Sequence, residues 1–283
     1  MSNYISPGGY RVLPPVVKNL IIINVIMFLA KMMAGSSFGI NLDDILGLHY
    51  FGASKFFPFQ FITYMFMHAD LGHIFFNMFA LWMFGSTLEN YWGAKRFLIF
   101  YFVTGIGAAL VHYTVIYFQV QPMVEVINNY IAHPDFAWFQ EFIHSSRFEA
   151  NESIVDYYNS VFVPAANTGS GGGALQASID FMTWYKEAYL NLPNVVGASG
   201  AIYGLLLAFG MTFPNSLIYL YFLFPIKAKW FVIGFGALEL FSGIRNSPLD
   251  NVAHFAHLGG MLFGIFLILY WKKKDINNQY YGF

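Results

Sequence analysis

The chain has 283 residues, of which 57% are hydrophobic and 10% are charged, and its formal net charge is −1. Soluble domains contain about 25% charged residues, so this composition predicts a membrane protein with several spans. The near-neutral charge disfavours nucleic-acid binding, which requires a basic patch. The absence of cysteine excludes disulfides, thiolate metal sites and a cysteine nucleophile.

Six apolar segments approach the length of about 20 residues that crosses a bilayer. We therefore predict an all-α fold, with residues 1–283 forming a single membrane domain. We predict no removable signal peptide before Lys18, since no cleavage pattern is present there. The predicted spans are residues 16–34, 71–90, 97–118, 199–213, 230–244 and 252–271.

The positions of lysine and arginine predict the orientation, because cytoplasmic loops contain an excess of these residues. With the N-terminus inside, nine of them flank inner ends and five lie near outer ends, which accounts for all 14. We therefore predict a multi-pass protein of the bacterial cytoplasmic membrane, with both termini in the cytoplasm. The inner group is Arg11, Lys18, Lys95, Arg96, Lys227, Lys229, Lys272, Lys273 and Lys274.

Two outer connections are unusual. The loop 37–69 contains the run Phe56-Phe57-Pro58-Phe59, which fits either an interfacial segment or a loop packed on helices. The insert 119–193 contains many acidic residues and apolar residues at helical spacing, which predicts a small helical extracytoplasmic cap. Its glycine-rich stretch 168–173 is not followed by Lys-Ser/Thr, so we predict a flexible linker rather than a phosphate-binding loop.

The fourth predicted span is short. About 15 residues separate Ser199 from Pro214, or roughly 22 Å of helix, whereas the hydrocarbon core is about 30 Å thick. A helix that ends at the inner interface therefore begins at Ser199 below the outer surface. His257 and His73 lie at similar distances from the inner ends of their own spans. Three polar residues on three helices are thus predicted at one depth, where ionisable groups are functional candidates.

These residues suggest a serine hydrolase. A serine hydroxyl needs a base, usually histidine, which pairs Ser199 with His257. The oxyanion needs donors, and His73, Asn77 and the backbone N–H of Ser199 can supply them, since His73 and Asn77 share a helix face. Tyr203 lies one turn from Ser199 and can stack on the His257 ring. Taken alone, Ser199 fits a helix cap equally well.

Glycines spaced four residues apart predict close helix packing around this site. Gly200 and Gly204 lie on the fourth span, and Gly260 and Gly264 lie on the sixth. Small residues at this spacing let membrane helices approach closely, as a Ser–His hydrogen bond between the two spans requires. Each pair by itself is more often plain packing.

The chain closely resembles the rhomboid intramembrane serine proteases over roughly residues 15–118 and 194–272. The motifs occur in the family's order and spacing. They are Gly197-Ala198-Ser199-Gly200, Ala256-His257-Leu258-Gly259-Gly260, His68 with His73-Ile74-Phe75-Phe76-Asn77, Glu89 with Gly93, and Pro58-Phe59-Gln60-Phe61-Ile62-Thr63-Tyr64.

The resemblance implies a six-helix rhomboid bundle and cleavage of transmembrane protein substrates whose helices are locally unstable, after a small residue. It implies that His73 and Asn77 belong to the oxyanion hole, with Gly197, Gly200 and Gly260 as supporting residues. We interpret His68 as a supporting hydrogen-bonding residue. Two features depart from the family pattern: the long insert, and Phe59-Gln60 where some members have Trp-Arg. Neither a cofactor nor a metal is implied.

Three other functions would each require a different sequence feature. An intramembrane metalloprotease would need His-Glu-x-x-His or a comparable spacing, which is absent from the sequence. A catalytically inactive rhomboid-like protein that binds membrane-protein clients would lack the serine or the histidine. A transporter would favour internal repeats. We interpret His254 as lining the outer entrance, and Glu239 as a structural hydrogen-bonding residue more readily than as a gate.

Overall fold

The computed structural model describes residues 9–168, 173–220, 223–245 and 253–281. Most of the predicted glycine-rich linker and residue 252, where the sixth span is predicted to begin, lie outside these residues. The chain divides into two compact units. The first contains the described residues of Met1–Leu48, Pro58–Tyr113 and Val195–Phe283, and the second contains those of His49–Phe57 and Thr114–Asn194.

Helices form nearly all of the regular structure in the described ranges. Short strands lie at Leu48–His49 (β1), Asn194–Val195 (β2), Leu217–Leu220 (β3) and Phe224–Lys227 (β4), and β3 pairs antiparallel with β4. The α-helices are α1 (Pro15–Phe38), α2 (Leu42–Leu46), α3 (Gln60–Thr63), α4 (Leu71–Ala80), α5 (Ser86–Trp92), α6 (Ala94–Ala132), α7 (Phe136–Ile143), α8 (Glu152–Tyr157), α9 (Val163–Thr168), α10 (Gly173–Leu190), α11 (Ser199–Thr212), α12 (Ala228–Arg245) and α13 (His254–Tyr281).

Four helical segments among the described residues are long and apolar enough to cross a membrane: Pro15–Phe38, Leu71–Trp92, Ala94–Ala132 and His254–Asp275. The second segment joins α4 to α5 through a π-helical turn at Leu81–Gly85. The shorter apolar helix α11 has 14 residues, and α12 has 18. The protein is therefore an integral membrane protein with multiple spans.

The helix α6 is longer than the predicted third span. It continues past residue 118 and contains Pro122. Beyond that boundary, Val120, Ile127 and Tyr130 are buried in the hydrophobic core of the second unit. Burial of one face sustains the helix past the proline, which removes one backbone N–H but is tolerated in a long packed helix.

The first turn of α1 is completed by a side chain from α5. Pro14 and Pro15 have no N–H, and Lys18 N–H donates to the carbonyl of Pro14 over 2.9 Å. The remaining free N–H groups, on Val16 and Val17, donate to the two carboxylate oxygens of Glu89 over 3.0 and 2.8 Å. Glu89 is buried, so this charged cap holds the start of α1 against the end of α5.

Glycines set the spacing of α6, α11 and α13 in the first unit. A β-carbon on Gly200 would lie 2.5 Å from that of Ala108, and one on Gly204 would lie 2.7 Å from that of Thr104. The glycines of α11 therefore face α6 most closely, whereas Gly260 of α13 faces α11 at Gly200. Three helices meet here rather than the two that the sequence pattern suggested.

The second unit has an aromatic core of its own. Phe139, Phe181 and Tyr185 are almost fully buried there, and Tyr157 stacks on Trp184 with ring centroids 3.8 Å apart. The segment His49–Phe57 belongs to this unit, since Ser54 N–H donates to Glu187 over 3.1 Å and Lys55 N–H donates to Asn191 over 3.2 Å. The insert is thus a packed helical unit within the described ranges.

Candidate active site

Ser199 is the first residue of α11, and a glycine loop holds it in place. Gly197 has φ +131°, in a region that side-chain-bearing residues rarely adopt. Its N–H donates to the carbonyl of Tyr64 over 2.9 Å, and the Tyr64 hydroxyl donates to the carbonyl of Gly105 over 2.7 Å. The loop before Ser199 is therefore fixed to α6 through Tyr64, which leaves the serine side chain partly exposed.

His257 lies on the first turn of α13, directly opposite Ser199. Its Nε2 lies 2.8 Å from Ser199 Oγ, within hydrogen-bond distance. The imidazole is buried, with 7% of the residue exposed. The structure thus brings together the serine and histidine that the sequence analysis paired.

The other ring nitrogen of His257 contacts a carboxylate. Nδ1 lies 2.9 Å from Oε2 of Glu239, on α12. The same oxygen lies 2.6 Å from Nδ1 of His254. A carboxylate is an acceptor only, so each histidine donates its Nδ1–H to Glu239. In neutral His257 this leaves a lone pair on Nε2, facing the Ser199 hydroxyl.

Tyr203 contacts both His257 and Glu239. Its ring stacks on the imidazole of His257, with centroids 4.1 Å apart and planes 7° apart. Its hydroxyl donates to Oε1 of Glu239. Tyr203 is one helical turn from Ser199, so one residue of α11 restrains the ring plane of His257 and also holds its carboxylate partner.

His73 presents a donor to the same region. Its backbone N–H donates over 2.8 Å to Asp70, which caps α4, and its Nδ1 accepts from the N–H of Ala69 over 3.3 Å. In the neutral ring the proton is therefore on Nε2. A β-carbon built on Gly197 would lie 2.8 Å from His73 Nε2 and 3.6 Å from Ser199 Oγ. The Nε2–H thus lies beside the Gly197 backbone, close to the serine.

Asn77 and His68 lie behind His73. Asn77 is buried on the next turn of α4, and its Nδ2 donates over 2.9 Å to the carbonyl of His73. That bond uses one of its two amide protons and leaves the other for a ligand. His68 is buried with its ring edge-on to that of His73, at a centroid distance of 5.0 Å. Contrary to the predicted hydrogen-bonding role, neither ring nitrogen of His68 has a hydrogen-bond partner among the described residues. The His68 carbonyl accepts from Lys31 Nζ over 2.7 Å, which fixes the entry to α4.

The ligand atoms of Glu239, His254 and His257 lie within 4.8 Å of one another, which is close enough to consider a metal ion. Zinc bonds of about 2.0–2.1 Å in a tetrahedron place neighbouring nitrogen and oxygen ligands about 3.3 Å apart. The nitrogen–oxygen distances here are 2.6 and 2.9 Å, which are hydrogen-bond lengths. The geometry is that of two histidines donating to a carboxylate.

Glu239 and His254 are the residues of this cluster whose contacts were not predicted. Neither lies in a motif that pairs it with His257, and Glu239 is 18 positions away along the chain. The available signal was the cost of a carboxylate within an apolar helix, which makes such a residue a functional candidate. His254 shares an oxygen of Glu239 with His257, and its predicted place at the outer entrance stays a prediction.

Comparisons with known proteins identify the family of the chain. The family model described as "Rhomboid domain" matches residues 55–124 and 161–274. An uncharacterised mitochondrial rhomboid protein of Schizosaccharomyces pombe is 23% identical over 224 residues, which cover 76% of this chain and 52% of that protein. The chain thus spans about half the length of this curated relative. The match extends over most of the chain and includes every residue of the cluster around Ser199, so the chain belongs to the rhomboid family.

Proposed function

We propose that this protein is an intramembrane serine endopeptidase that hydrolyses peptide bonds in or near the transmembrane segments of other membrane proteins. The observation that carries the proposal is the 2.8 Å approach of His257 Nε2 to Ser199 Oγ. Rhomboid membership supports a protease or a rhomboid-like protein, and this pair favours the protease, because a serine aligned with a base is the requirement of nucleophilic catalysis.

In the first half-reaction, Ser199 Oγ forms a bond to the substrate carbonyl carbon while its proton passes to His257 Nε2. The carbonyl π electrons move to oxygen and form an oxyanion. His257 then delivers the proton to the leaving amide nitrogen as the carbon–nitrogen bond breaks. The products are an amine fragment and an ester between Ser199 and the acyl fragment.

In the second half-reaction, water takes the place of the serine. It loses a proton to His257 Nε2 and attacks the ester carbon, which forms a second oxyanion. His257 returns the proton to Ser199 Oγ as the ester bond breaks, and a carboxylic acid leaves. The reaction consumes one water and needs neither a cofactor nor a metal.

Three hydrogen-bond donors support the proposed oxyanion hole. His73 presents an Nε2–H beside the Gly197 backbone, Asn77 retains one amide proton, and Ser199 N–H is at the first turn of α11. Donors fixed before the reaction stabilise charge that develops only in the transition state. We assign the oxyanion hole to these three groups, with His68, Gly197, Gly200 and Gly260 as supporting residues.

A membrane-embedded site accounts for the short helix. At 14 residues, α11 is about 21 Å long, less than a hydrocarbon core of about 30 Å. We propose six spans, formed by α1, α4 with α5, α6, α11, α12 and α13, in one membrane domain with both termini in the cytoplasm. On this arrangement Ser199 lies below the outer surface, in a cavity open to water. Placement in a bacterial cytoplasmic membrane stays a prediction.

Labelling with a fluorophosphonate serine probe tests the proposal. The full chain in detergent should be labelled, and Ser199→Ala and His257→Ala should lose the signal while their thermal unfolding stays close to wild type. Cleavage of a mixture of fluorescent transmembrane peptides should follow the same pattern: the wild type should cleave them and the two variants should not. Equal labelling of all three proteins would sink the assignment. No labelling of a folded wild-type protein would instead favour a rhomboid-like protein that binds clients without cleaving them.

A further inference from the structure

We propose that Glu239 is a positioning residue of the reaction, so that the site works as a Ser199–His257–Glu239 triad rather than as a serine–histidine pair. The inference rests on the proposed function and adds a third helix to it. Its basis is the contact between Glu239 Oε2 and His257 Nδ1 at 2.9 Å, on the side of the ring opposite Ser199.

The contact fixes which nitrogen of His257 holds the proton. An ionised carboxylate can only accept, so Nδ1 must donate to Glu239 and Nε2 must keep its lone pair. This is the tautomer that removes a proton from Ser199 Oγ. Without the carboxylate, the neutral ring can also place its proton on Nε2, and that form cannot act as a base. Glu239 therefore selects the reactive form before substrate arrives.

The surroundings of Glu239 favour the ionised carboxylate. A buried charge is costly unless hydrogen bonds replace water. Three donors converge on Glu239: the Tyr203 hydroxyl on Oε1, and the Nδ1–H groups of His254 and His257 on Oε2. Hydrogen bonds to a charged group are stronger than those between neutral groups, so three of them offset much of the cost of removing the carboxylate from water. A residue that only filled space between helices would not require this set of donors.

The contacts of Glu239 and Tyr203 also fix the orientation of the His257 ring. His257 is held on one side by the carboxylate and on one face by the Tyr203 ring, and Tyr203 is itself bonded to Glu239. Helices α11, α12 and α13 thus share one closed set of contacts around the imidazole. A fixed ring keeps Nε2 on the line to Ser199 Oγ, and proximity of this kind lowers the entropic part of the barrier.

Glu239 also faces the charge that forms during the reaction. When His257 takes the serine proton it becomes an imidazolium, and the carboxylate 2.9 Å away stabilises that cation. The proton stays on the histidine, because it must next reach the leaving amide nitrogen; Glu239 does not take it. The effect belongs to the transition state and should appear in the chemical step.

The test compares three variants of the full chain with fluorophosphonate, separating the inactivation rate constant (kinact) from the half-saturating probe concentration (KI). Glu239→Gln keeps the size of the side chain but removes the charge, and its amide can donate to Nδ1 and select the wrong tautomer. We expect kinact to fall by at least about 100-fold while KI changes little. Glu239→Asp keeps the charge and should recover part of kinact, which a purely structural role would not explain.

A matched control is Glu89→Gln, the same change at another buried carboxylate. Glu89 accepts from backbone N–H groups of α1 and does not touch the site, so the variant should unfold at a lower temperature with kinact unchanged. If Glu239→Gln behaves like Glu89→Gln, Glu239 is structural and the proposal is wrong. If the wild type labels at Ser199 and Glu239→Gln labels equally fast, only this inference falls. A folded wild type that does not label overturns both proposals.

Discussion

Gly260 and Gly200 bring α13 and α11 into direct backbone contact. A β-carbon on Gly260 would lie 1.8 Å from the carbonyl oxygen of Gly200, and backbone cannot rotate away as a side chain can. Gly260→Ala should therefore separate the helices that hold His257 and Ser199. We expect overpacking to lower the free energy of unfolding by about 1–3 kcal/mol. We also expect fluorophosphonate labelling to be lost.

The matched control is Gly264→Ala, one turn further along α13. There a β-carbon would meet the Phe100 ring at 3.2 Å and Leu207 at 3.4 Å, both side chains that can shift. Its thermal midpoint and labelling should stay near wild type. Equal effects of the two substitutions would show that the close approach at Gly260 is not what sets the helix spacing.

Tyr203→Phe separates the two roles of Tyr203. The ring still stacks on His257, but Glu239 loses a hydrogen-bond donor. We expect kinact for fluorophosphonate to fall by about tenfold, or about 1.4 kcal/mol, because the carboxylate is less firmly held. Tyr203→Leu, which loses both contacts, should fall further.

Tyr219→Phe is the control for loss of a tyrosine hydroxyl, since Tyr219 is 58% exposed on β3. It should react at the wild-type rate. A Tyr203→Phe protein that is indistinguishable from Tyr219→Phe would contradict a role for the hydroxyl and would leave the stack as the main contribution of Tyr203.

His73→Ala and Asn77→Ala test the oxyanion assignment. Removing one donor from an oxyanion hole costs about 10²–10³-fold in the chemical step. His73→Ala should show a loss of this size in kinact, because its Nε2–H lies beside the Gly197 backbone. Asn77→Ala should also slow the reaction, and it additionally loses the bond to the His73 carbonyl.

Phe75→Ala, an exposed position on the same helix, controls for general disturbance of α4. Its kinact should match wild type. Unchanged kinact in His73→Ala with folding intact would remove His73 from the oxyanion hole.

Glu187 predicts an acid-sensitive contact within the second unit. The Ser54 hydroxyl foremost, then Asn191 and the Ser54 N–H, lower the pKa of Glu187 below 4.5, against a smaller opposing effect of burial. A carboxylate with a lowered folded pKa adds stability above its unfolded pKa, and this is lost as pH falls through the folded value. Glu187→Gln should therefore unfold at a lower temperature than wild type at pH 7.

The difference between Glu187→Gln and wild type should shrink between pH 7 and an acidic pH below the usual range of a glutamate, because the wild-type carboxylate takes up its proton as the pH falls through the lowered folded pKa. Thermal unfolding at the two pH values measures it. Glu152→Gln, an exposed carboxylate of the same unit, is the comparison. A constant difference between Glu187→Gln and wild type at both pH values would rule out the charged contact.

The sequence was most informative where residues lie in local motifs. The spacing of Ser199 and Tyr203 on one helix face follows from helical geometry, and family motifs pointed to His73, Asn77 and His257. Local motifs could not predict that Glu239 contacts His257. Its contact with His257 joins two helices, and neither periodicity nor spacing encodes how those helices rotate about their axes.

Helix length was also set by contacts distant in the chain. The apolar run of the third span ends near residue 118, but burial of Ile127 and Tyr130 in the second unit carries α6 to Ala132. Pro122 gave a local signal for termination that tertiary packing overrides. The partners of Gly200 and Gly204 were likewise hidden, because a small-residue pattern does not say which neighbour it faces.

The cap that Glu89 places on α1 has a consequence for insertion into the membrane. Glu89 binds the start of α1, while Asn90 accepts from the Arg11 N–H over 3.0 Å and donates to the Arg11 carbonyl over 2.8 Å. Until α5 is in place, the N–H groups of Val16 and Val17 at the start of the first helix lack this acceptor. The start of α1 and the end of α5 must lie on the same side of the membrane to form these contacts, so we expect the first two spans to assemble as an antiparallel pair.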